Sequence, residues 1–491
     1  VTDRDRAVSD RVAALPPDRR ALLERALLER RRKRIQGIVP RDPMDRPVLS
    51  SSQHRLWFFD QLTPGAPTYN AIVALRVRGP LDLDVVEQAL RIVVARHEVL
   101  RTALVLDGDT AVQRPLDDWE FGIDRRRVDA ASDSDQLAAA IRIAVEAARA
   151  PYDLARDLTL RLTAIELAPD DYLLAFLEHH IAFDGWSDEV LFRELSEIYR
   201  AIRADEKPVL PDLPVQYADF AVWQQQMLNG AGESLSAYWR DALAGAPPLL
   251  NLPLDRPRLE RQTFDGRHLD IEFGADLADA VRDYARSSGA TPYMVLVAVV
   301  VATLYRWTGQ SDITIGTPAA NRDQLELENL IGFFSNTLPL RIKIAGDRGF
   351  DALVDAVRSA ALGAFDHQAL PFERIVEAVA PERDPRINPL FQVNVRVQSE
   401  PSPVPELPPA KVEALHIDLG YSRFDLAVEF QLHPDRVTGY VEYNLALFEP
   451  TTITRFAGAL EEVVRFTLEQ AETPLWNVPT SLVAPTRIRR R

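Results

Sequence analysis

The chain has 491 residues, 46% of them hydrophobic and none of them cysteine, and carries a net charge of −16 at pH 7. That acidity repels a phosphate backbone and excludes nucleic acid as a partner for the body of the chain. Without cysteine there are no disulfides, thiolate nucleophiles or Cys-based metal sites, so chemistry must come from eight histidines, carboxylates or hydroxyls.

At about 100–200 residues per domain the length corresponds to two or three lobes. Asp3, Arg4, Asp5 and Arg6 are followed by no apolar block, so neither a signal peptide nor a lipid anchor is indicated and the cytoplasm is the expected compartment. Residues 18–34 have the rhythm of an amphipathic helix, with Pro16 and Pro17 before it and a basic run from Arg30 to Arg34 at its end. A link with Pro40, Pro43 and Pro47 follows, and the compact part is expected to begin near Leu49.

From there strands and helices alternate, an α/β pattern: a strand at 72–78, a helix near 83–97, a strand near 172–180 and a helix near 187–203. A second series holds helices near 275–288, 292–306 and 350–366 and a strand near 312–316. The apolar run from Tyr293 to Tyr305 falls short of the roughly 20 residues that span a bilayer and reads as a buried helix. A further basic run, Arg487 and Arg489 to Arg491, ends the chain.

An internal echo pairs LEHHIAFDGWSDEVLF at 177–192 with VEYNLALFEPTTITRF at 441–456, each an apolar strand, a sharp turn and a helix. In that alignment His179 and His180 fall on Tyr443 and Asn444, so only one of two similar lobes carries histidines.

Side chains alternate across a strand, so His179 and His180 face opposite ways and do not readily share one metal. Asp184 and Gly185 form a turn, and Trp186 and Ser187 open a helix whose N–H groups are placed to hold a developing negative charge. A base and an anion-binding corner then lie within a few residues. A hydrogen-bonded core histidine explains the same letters. Metal chemistry needs a third ligand, with His97, His268 and His367 as candidates, but no HExxH or comparable spacing occurs. Serine-hydrolase, phosphate-loop and Rossmann fingerprints are likewise missing, which leaves cofactor-free acyl transfer.

With these residues in view the chain resembles the condensation domains of nonribosomal peptide synthetases. The resemblance rests on SSSQHRLWFFDQL (50–62), RHEVLRT (96–102), HHIAFDGWS (179–187), YADFAVW (217–223), IGFFSNTLPLR (331–341), HQALPFERIVE (367–377) and INPLFQV (387–393), in the family's order. It runs from about residue 49 to 475.

It implies two chloramphenicol-acetyltransferase-like lobes in a V, a pseudo-dimer within a monomer, with the active site in a tunnel between them. The implied divisions are an N-terminal helix and linker at 1–48, an N-terminal lobe at 49–223, a C-terminal lobe with floor-loop and latch segments at 224–480, and a basic tail at 481–491. His180 is then the active-site histidine, His179 and Asp184 hold the loop, and Asp184 pairs with Arg101. Gly185 gives the turn backbone freedom and lets substrate approach. Asn336 donates a hydrogen bond toward the reaction centre, with a plain polar turn residue as the alternative. Trp186, Tyr217 and Trp223 are expected to pack rather than bind.

The implied reaction moves an acyl or aminoacyl group from the phosphopantetheine thioester of a peptidyl carrier protein to an amine or hydroxyl, forming an amide or ester. The acceptor comes from a second carrier or as a small soluble molecule. No intrinsic cofactor, metal or membrane is called for. The first two motifs are closer to the subtype taking L-configured donors than to epimerisation domains, and cyclisation domains usually have two Asp where His179 and His180 stand. A catalytically silent module that recruits tailoring enzymes to a carrier-bound amino acid is the alternative. The ends of the chain fit a free-standing enzyme or a piece of a larger synthetase.

Overall fold

The computed structural model describes residues 37–482 except 43, 44, 46, 130, 131, 383, 400–402 and 480. The expected helix at 18–34 and both basic runs lie outside the described residues.

The first lobe begins before Leu49. Ile38 is buried, Val48 bridges to Val112, and Arg41 pairs with both Glu98 and Asp219, so part of the expected linker packs on the lobe. Ser50 then caps Ser51–Leu62 (α1) through a reciprocal box with Gln53. Next come Asn70–Arg78 (β1), Leu83–Arg96 (α2), Thr102–Asp107 (β2), Thr110–Pro115 (β3), Ile123–Arg127 (β4), Asp133–Arg149 (α3), Leu160–Ala168 (β5), Asp171–His179 (β6) and Gly185–Arg203 (α4).

Tyr217–Leu243 (α5) passes from one lobe to the other. Tyr217 and Phe220 at its start belong to the first core, Trp239 and Leu243 at its end to the second. The expected boundary at 223/224 therefore falls inside a continuous helix.

The second half of the chain contains Gly266–Phe273 (β7), Ala275–Ser288 (α6), Pro292–Thr308 (α7), Asp312–Ala319 (β8), Asn336–Lys343 (β9), Phe350–Asp366 (α8), Phe372–Val379 (α9), Val393–Gln398 (β10), Lys411–Leu415 (β11), Leu426–Leu432 (β12), Val437–Asn444 (β13) and Pro450–Glu469 (α10). α7 starts on the Thr291 cap with Pro292 in its first turn, ends at left-handed Gly309, and is buried at every position from Met294 to Leu304. A helix apolar on all sides is stable only inside a core. No single described helix is long and apolar enough to cross a membrane; α6 and α7 pass that test only as a pair bent by 108°.

The first sheet has the order β11-β1-β6-β5-β4 and the second β7-β13-β12-β10-β8-β9. In each, two antiparallel pairings are followed by a parallel one: β1-β6-β5-β4 repeats as β7-β13-β12-β10. Asn70 pairs with His179 and Gly266 with Asn444 at equivalent strand ends. Five residues then lead to a helix whose cap is Asp184 in one lobe and Glu449 in the other. The repeat is real, but the structural match sets His179 on Asn444 and His180 on Leu445, one residue away from the sequence alignment.

Two pieces of the second half serve the first lobe. β11 adds a strand beside β1, and Leu327, Leu330, Ile331, Phe333 and Phe334 enter the first core.

Candidate active site

The two histidines sit where β6 gives out. The N–H of His180 donates to Tyr69 O at 2.9 Å, so the ladder with β1 continues one residue past the strand and keeps the two rings on opposite faces. His179 points inward: its ring is buried, stands edge-on to Tyr152 at 5.5 Å, and its Nδ1 accepts from the N–H of Ile181 at 3.1 Å. A nitrogen that accepts cannot carry the proton, so His179 is the Nε2–H tautomer.

His180 has the opposite tautomer. Its Nδ1 lies 3.2 Å from Phe183 O, a carbonyl that can only accept, so Nδ1 carries the proton and Nε2 keeps its lone pair. The ring is half-buried beside Phe333, 6.1 Å between centroids. Burial, then Arg423, pulls its pKa down to about 3 against the opposing Phe183 carbonyl; burial and Arg161 pull His179 to about 4. Both imidazoles are therefore neutral at neutral pH.

Asp184 caps α4 and joins the two halves of the chain. Its Oδ1 accepts from Ser187 N–H (3.0 Å), Ser187 Oγ (2.7 Å) and Arg322 Nη2 (3.0 Å), and its Oδ2 from the N–H groups of Phe334 (3.0 Å) and Ser335 (3.1 Å). The expected partner Arg101 is engaged elsewhere, donating to Leu116 O at 3.0 Å. Arg322 takes its place, with Nη1 on Leu327 O and Leu330 O and its guanidinium 4.1 Å from the Phe334 ring centre. Ser187 completes the clamp, its Oγ within 2.8 Å of Gly332 O and 3.0 Å of Gly332 N. The anion held by the start of α4 is thus the protein's own Asp184 carboxylate, not a developing charge on a substrate.

Two other expectations are corrected. Gly185 has no left-handed φ and opens α4 as an ordinary helical residue. A Cβ there would lie 2.9 Å from Arg396 Nη2, so the missing side chain admits a guanidinium from β10. Arg396 also donates to Glu429 Oε2 at 3.3 Å, which accepts from Tyr440 Oη at 2.8 Å. Asn336 does not face the reaction centre. Its Nδ2 donates to Gln368 O and Leu370 O (2.8 and 2.7 Å) and its Oδ1 accepts from Phe372 N–H (3.0 Å), committing both donors and the carbonyl oxygen to the segment before α9.

The remaining histidines are dispersed. His97 Nε2 meets Glu194 at 2.9 Å while its Nδ1 accepts from Ile331 N–H; His268 meets His416 and Glu442; His367 stacks on Tyr238 at 3.7 Å. Among the described residues no group of three His, Asp or Glu is placed to hold a metal. Tyr217 is buried and donates to Phe333 O, but Trp186 is 39% exposed, its Nε1 on Glu328 O. A hollow of about 580 Å³ lined by Arg149, Asp265, Arg267 and Asp418 contains none of the expected site residues.

Sequence reasoning missed Arg322, Arg396, Glu178 and Asp188. The one available signal was at Glu178, an acid inside an otherwise apolar strand, beside Asp188 in the first turn of the next helix.

The Condensation domain family model matches residues 45–482. Over 474 residues the chain is 41% identical to phosphinothricin tripeptide synthetase PhsC of Streptomyces viridochromogenes, covering 95% of this chain and 43% of that protein. It is 37% identical over 442 residues to malpinin synthetase of Mortierella alpina, covering 90% of this chain and 6% of that protein. The chain thus spans less than half the length of these relatives. Among solved structures, the X-domain from teicoplanin biosynthesis superposes with TM-score 0.81 at 27% identity, covering 90% of this chain and 99% of that one. The first condensation domain of the calcium-dependent antibiotic synthetase superposes with TM-score 0.75 at 22% identity, covering 89% of this chain and 100% of that one, a likeness of fold.

Proposed function

The chain belongs to the condensation-domain family, and from that premise we propose that it is an active member, transferring an acyl or aminoacyl group from a carrier-protein thioester to an amine or hydroxyl. The observation that carries this reading is the His180 ring, whose tautomer is fixed by Phe183 O so that Nε2 offers a lone pair. A thioester is already activated, so the enzyme has to align two substrates and manage protons. Alignment is worth up to about 7–11 kcal/mol in favourable geometry. Proton transfer by a positioned base adds about 10²–10⁴ in rate. Asp184, Arg322 and Ser187 hold the histidine loop against residues 332–335 and keep that alignment rigid.

The phosphopantetheine thioester belongs to the donor carrier, and the acceptor arrives on a second carrier or as a free molecule. A silent recruiting module is the second reading, favoured by the likeness to an X-domain solved in complex with OxyB. Single turnover with an acyl-loaded carrier and candidate amines or alcohols separates the two. Release of an amide or ester supports the enzyme; an intact thioester with tight carrier binding supports the recruiter.

A further inference from the structure

Beside His180 the structure sets two buried carboxyls, Glu178 and Asp188, in hydrogen-bond contact with each other. Glu178 stands two residues before His180 and, by the continued ladder, on the same face of β6; it is 2% exposed, and its carboxyl meets that of Asp188. Asp188 comes from the first turn of α4, and apart from the contact between the two carboxyls no donor reaches its buried Oδ1 or Glu178 Oε1. Across the lobe interface, Asn394 Oδ1 on β10 is buried and unpartnered, two residues before Arg396 and so on the same strand face.

Unmade hydrogen bonds at buried oxygens are costly, and few persist without a role. A proton shared between two carboxyls still leaves a negative charge and several acceptor lone pairs, a setting that suits a donor-rich cation; an ammonium supplies three N–H donors where a hydroxyl supplies one. The neighbouring guanidinium does not fill the demand. Arg396 donates to Glu429, and its other nitrogen lies against Gly185.

We propose that Glu178 and Asp188 form the subsite for a protonated amine on the acceptor substrate and take up its first proton. This rests on the reading of the chain as an active condensation enzyme. The ammonium gives one proton to the Asp188 carboxylate and becomes a free amine. Its nitrogen lone pair attacks the thioester carbonyl carbon, and the C–N bond forms. One of the two protons still on nitrogen passes to Nε2 of His180 and from there to the departing sulfur as the C–S bond breaks, and the other stays as the amide N–H. The products are an amide, a thiol and a proton held by the carboxyl pair, which is returned to solvent.

The charged groups facing the pair are consistent with this division. Burial raises both carboxyls, Glu178 well above the usual range and Asp188 to about 6; the charge and hydrogen bond of Asp188 raise Glu178 further, the hydrogen bond with Glu178 holds Asp188 down, Asp184 adds to both and Arg396 opposes at Asp188. The pair therefore keeps a shared proton to higher pH than two separate carboxyls would. His180, held low by its own burial and by Arg423 and Arg396, is a poor first acceptor for an ammonium proton.

The test compares wild type, Asp188→Asn and Glu178→Gln in single turnover from an acyl-loaded carrier, with an amine acceptor and its hydroxyl analogue of the same skeleton. The amine rate near pH 7 is expected to fall about 10- to 100-fold in Asp188→Asn, with its acid limb moved up toward the pKa of the free amine, while the hydroxyl rate changes less than about threefold. Equal losses for both acceptors, or none, overturn the proposal. Binding of an unreactive alkylammonium, measured calorimetrically on each folded variant, reads the subsite without turnover. It is expected to weaken about tenfold or more in Asp188→Asn, and unchanged affinity overturns the proposal. If wild type makes no product but binds the cation through Asp188, the reading as an active enzyme fails and the subsite stands.

Discussion

Asp184 and Arg322, 138 residues apart in sequence, meet at 3.0 Å with both side chains almost wholly buried. Burial pushes the Arg322 pKa down while Asp184 pulls it back up, so each charge is tolerable only in the other's presence. Removing either leaves a buried charge uncompensated, a loss of about 3–5 kcal/mol. Arg322→Met and Asp184→Asn are expected to lower the unfolding free energy, measured by denaturant titration, by that amount. Arg101→Ala gives up a single hydrogen bond to Leu116 O and is expected to cost about 1 kcal/mol. A larger loss from Arg101→Ala than from Arg322→Met would contradict the assignment.

The division of protons between His180 and the carboxyl pair carries its own signature. His180→Ala is expected to suppress ester formation more severely than amide formation, because an alcohol has no ammonium proton for Asp188 to take and needs Nε2 more. A loss of about 10²–10⁴ with the alcohol against about tenfold with the amine is the expected pattern. Single-turnover rates for matched acceptors measure it, and small, equal losses count against His180 as a base.

Gly185 is held to glycine by the Arg396 guanidinium. Gly185→Ala puts a methyl group 2.9 Å from Nη2, too close unless the guanidinium withdraws. Because that contact is the end of a long side chain, the variant is expected to fold and to lose activity. The double variant Gly185→Ala/Arg396→Ala relieves the clash. A double-mutant cycle on unfolding free energy should therefore show coupling of about 0.5–3 kcal/mol between the two sites. Strict additivity would show that glycine serves another purpose there.

The two histidines and the two acids impose opposite pH slopes on stability. His179 and His180 titrate at about 4 and 3 in the fold against 6.5 ordinarily. The unfolded chain takes up their protons first, so stability is lost as pH falls from about 6.5 toward 3. Asp188 titrates at about 6 in the fold against 3.8 ordinarily, so the folded chain holds the extra proton and stability is lost as pH rises from about 4 to 6. Glu178→Gln removes one member of the pair and gives Asp188 a neutral donor. It is expected to stabilise the protein by about 1–3 kcal/mol at pH 8, with the difference shrinking toward pH 4. Thermal unfolding across that range checks it, and a destabilised variant at pH 8 would mean that the pair carries no net cost.

Much was legible in the sequence. Strand periodicity and caps located β6, α4, α6, α7 and α8 within a few residues, because a core face and a helix start are written in consecutive letters. The repeat of the two lobes was visible for the same reason. Its register was not: strand ends set His179 opposite Asn444, and a one-residue shift in a strand exchanges faces. The roles given to Arg101 and Asn336 failed on a different ground. A sequence can say that a buried Asp needs a cation, but with 57 Lys and Arg residues it cannot say which one the fold delivers.

Consecutive letters suffice for the histidine pair on opposite faces of a strand end, the absence of cysteine chemistry, and the family through seven motifs in order. Hydrophobic periodicity and local turn chemistry act over a few residues and need no partner to be read. The folded chain was needed to see that Arg322 and not Arg101 answers Asp184, that Gly185 yields to Arg396, and that Asn336 holds a loop. It alone brought the Glu178 and Asp188 carboxyls together beside His180. Those are contacts between segments tens to hundreds of residues apart, and their energies depend on burial and distance, which exist only once the chain has folded.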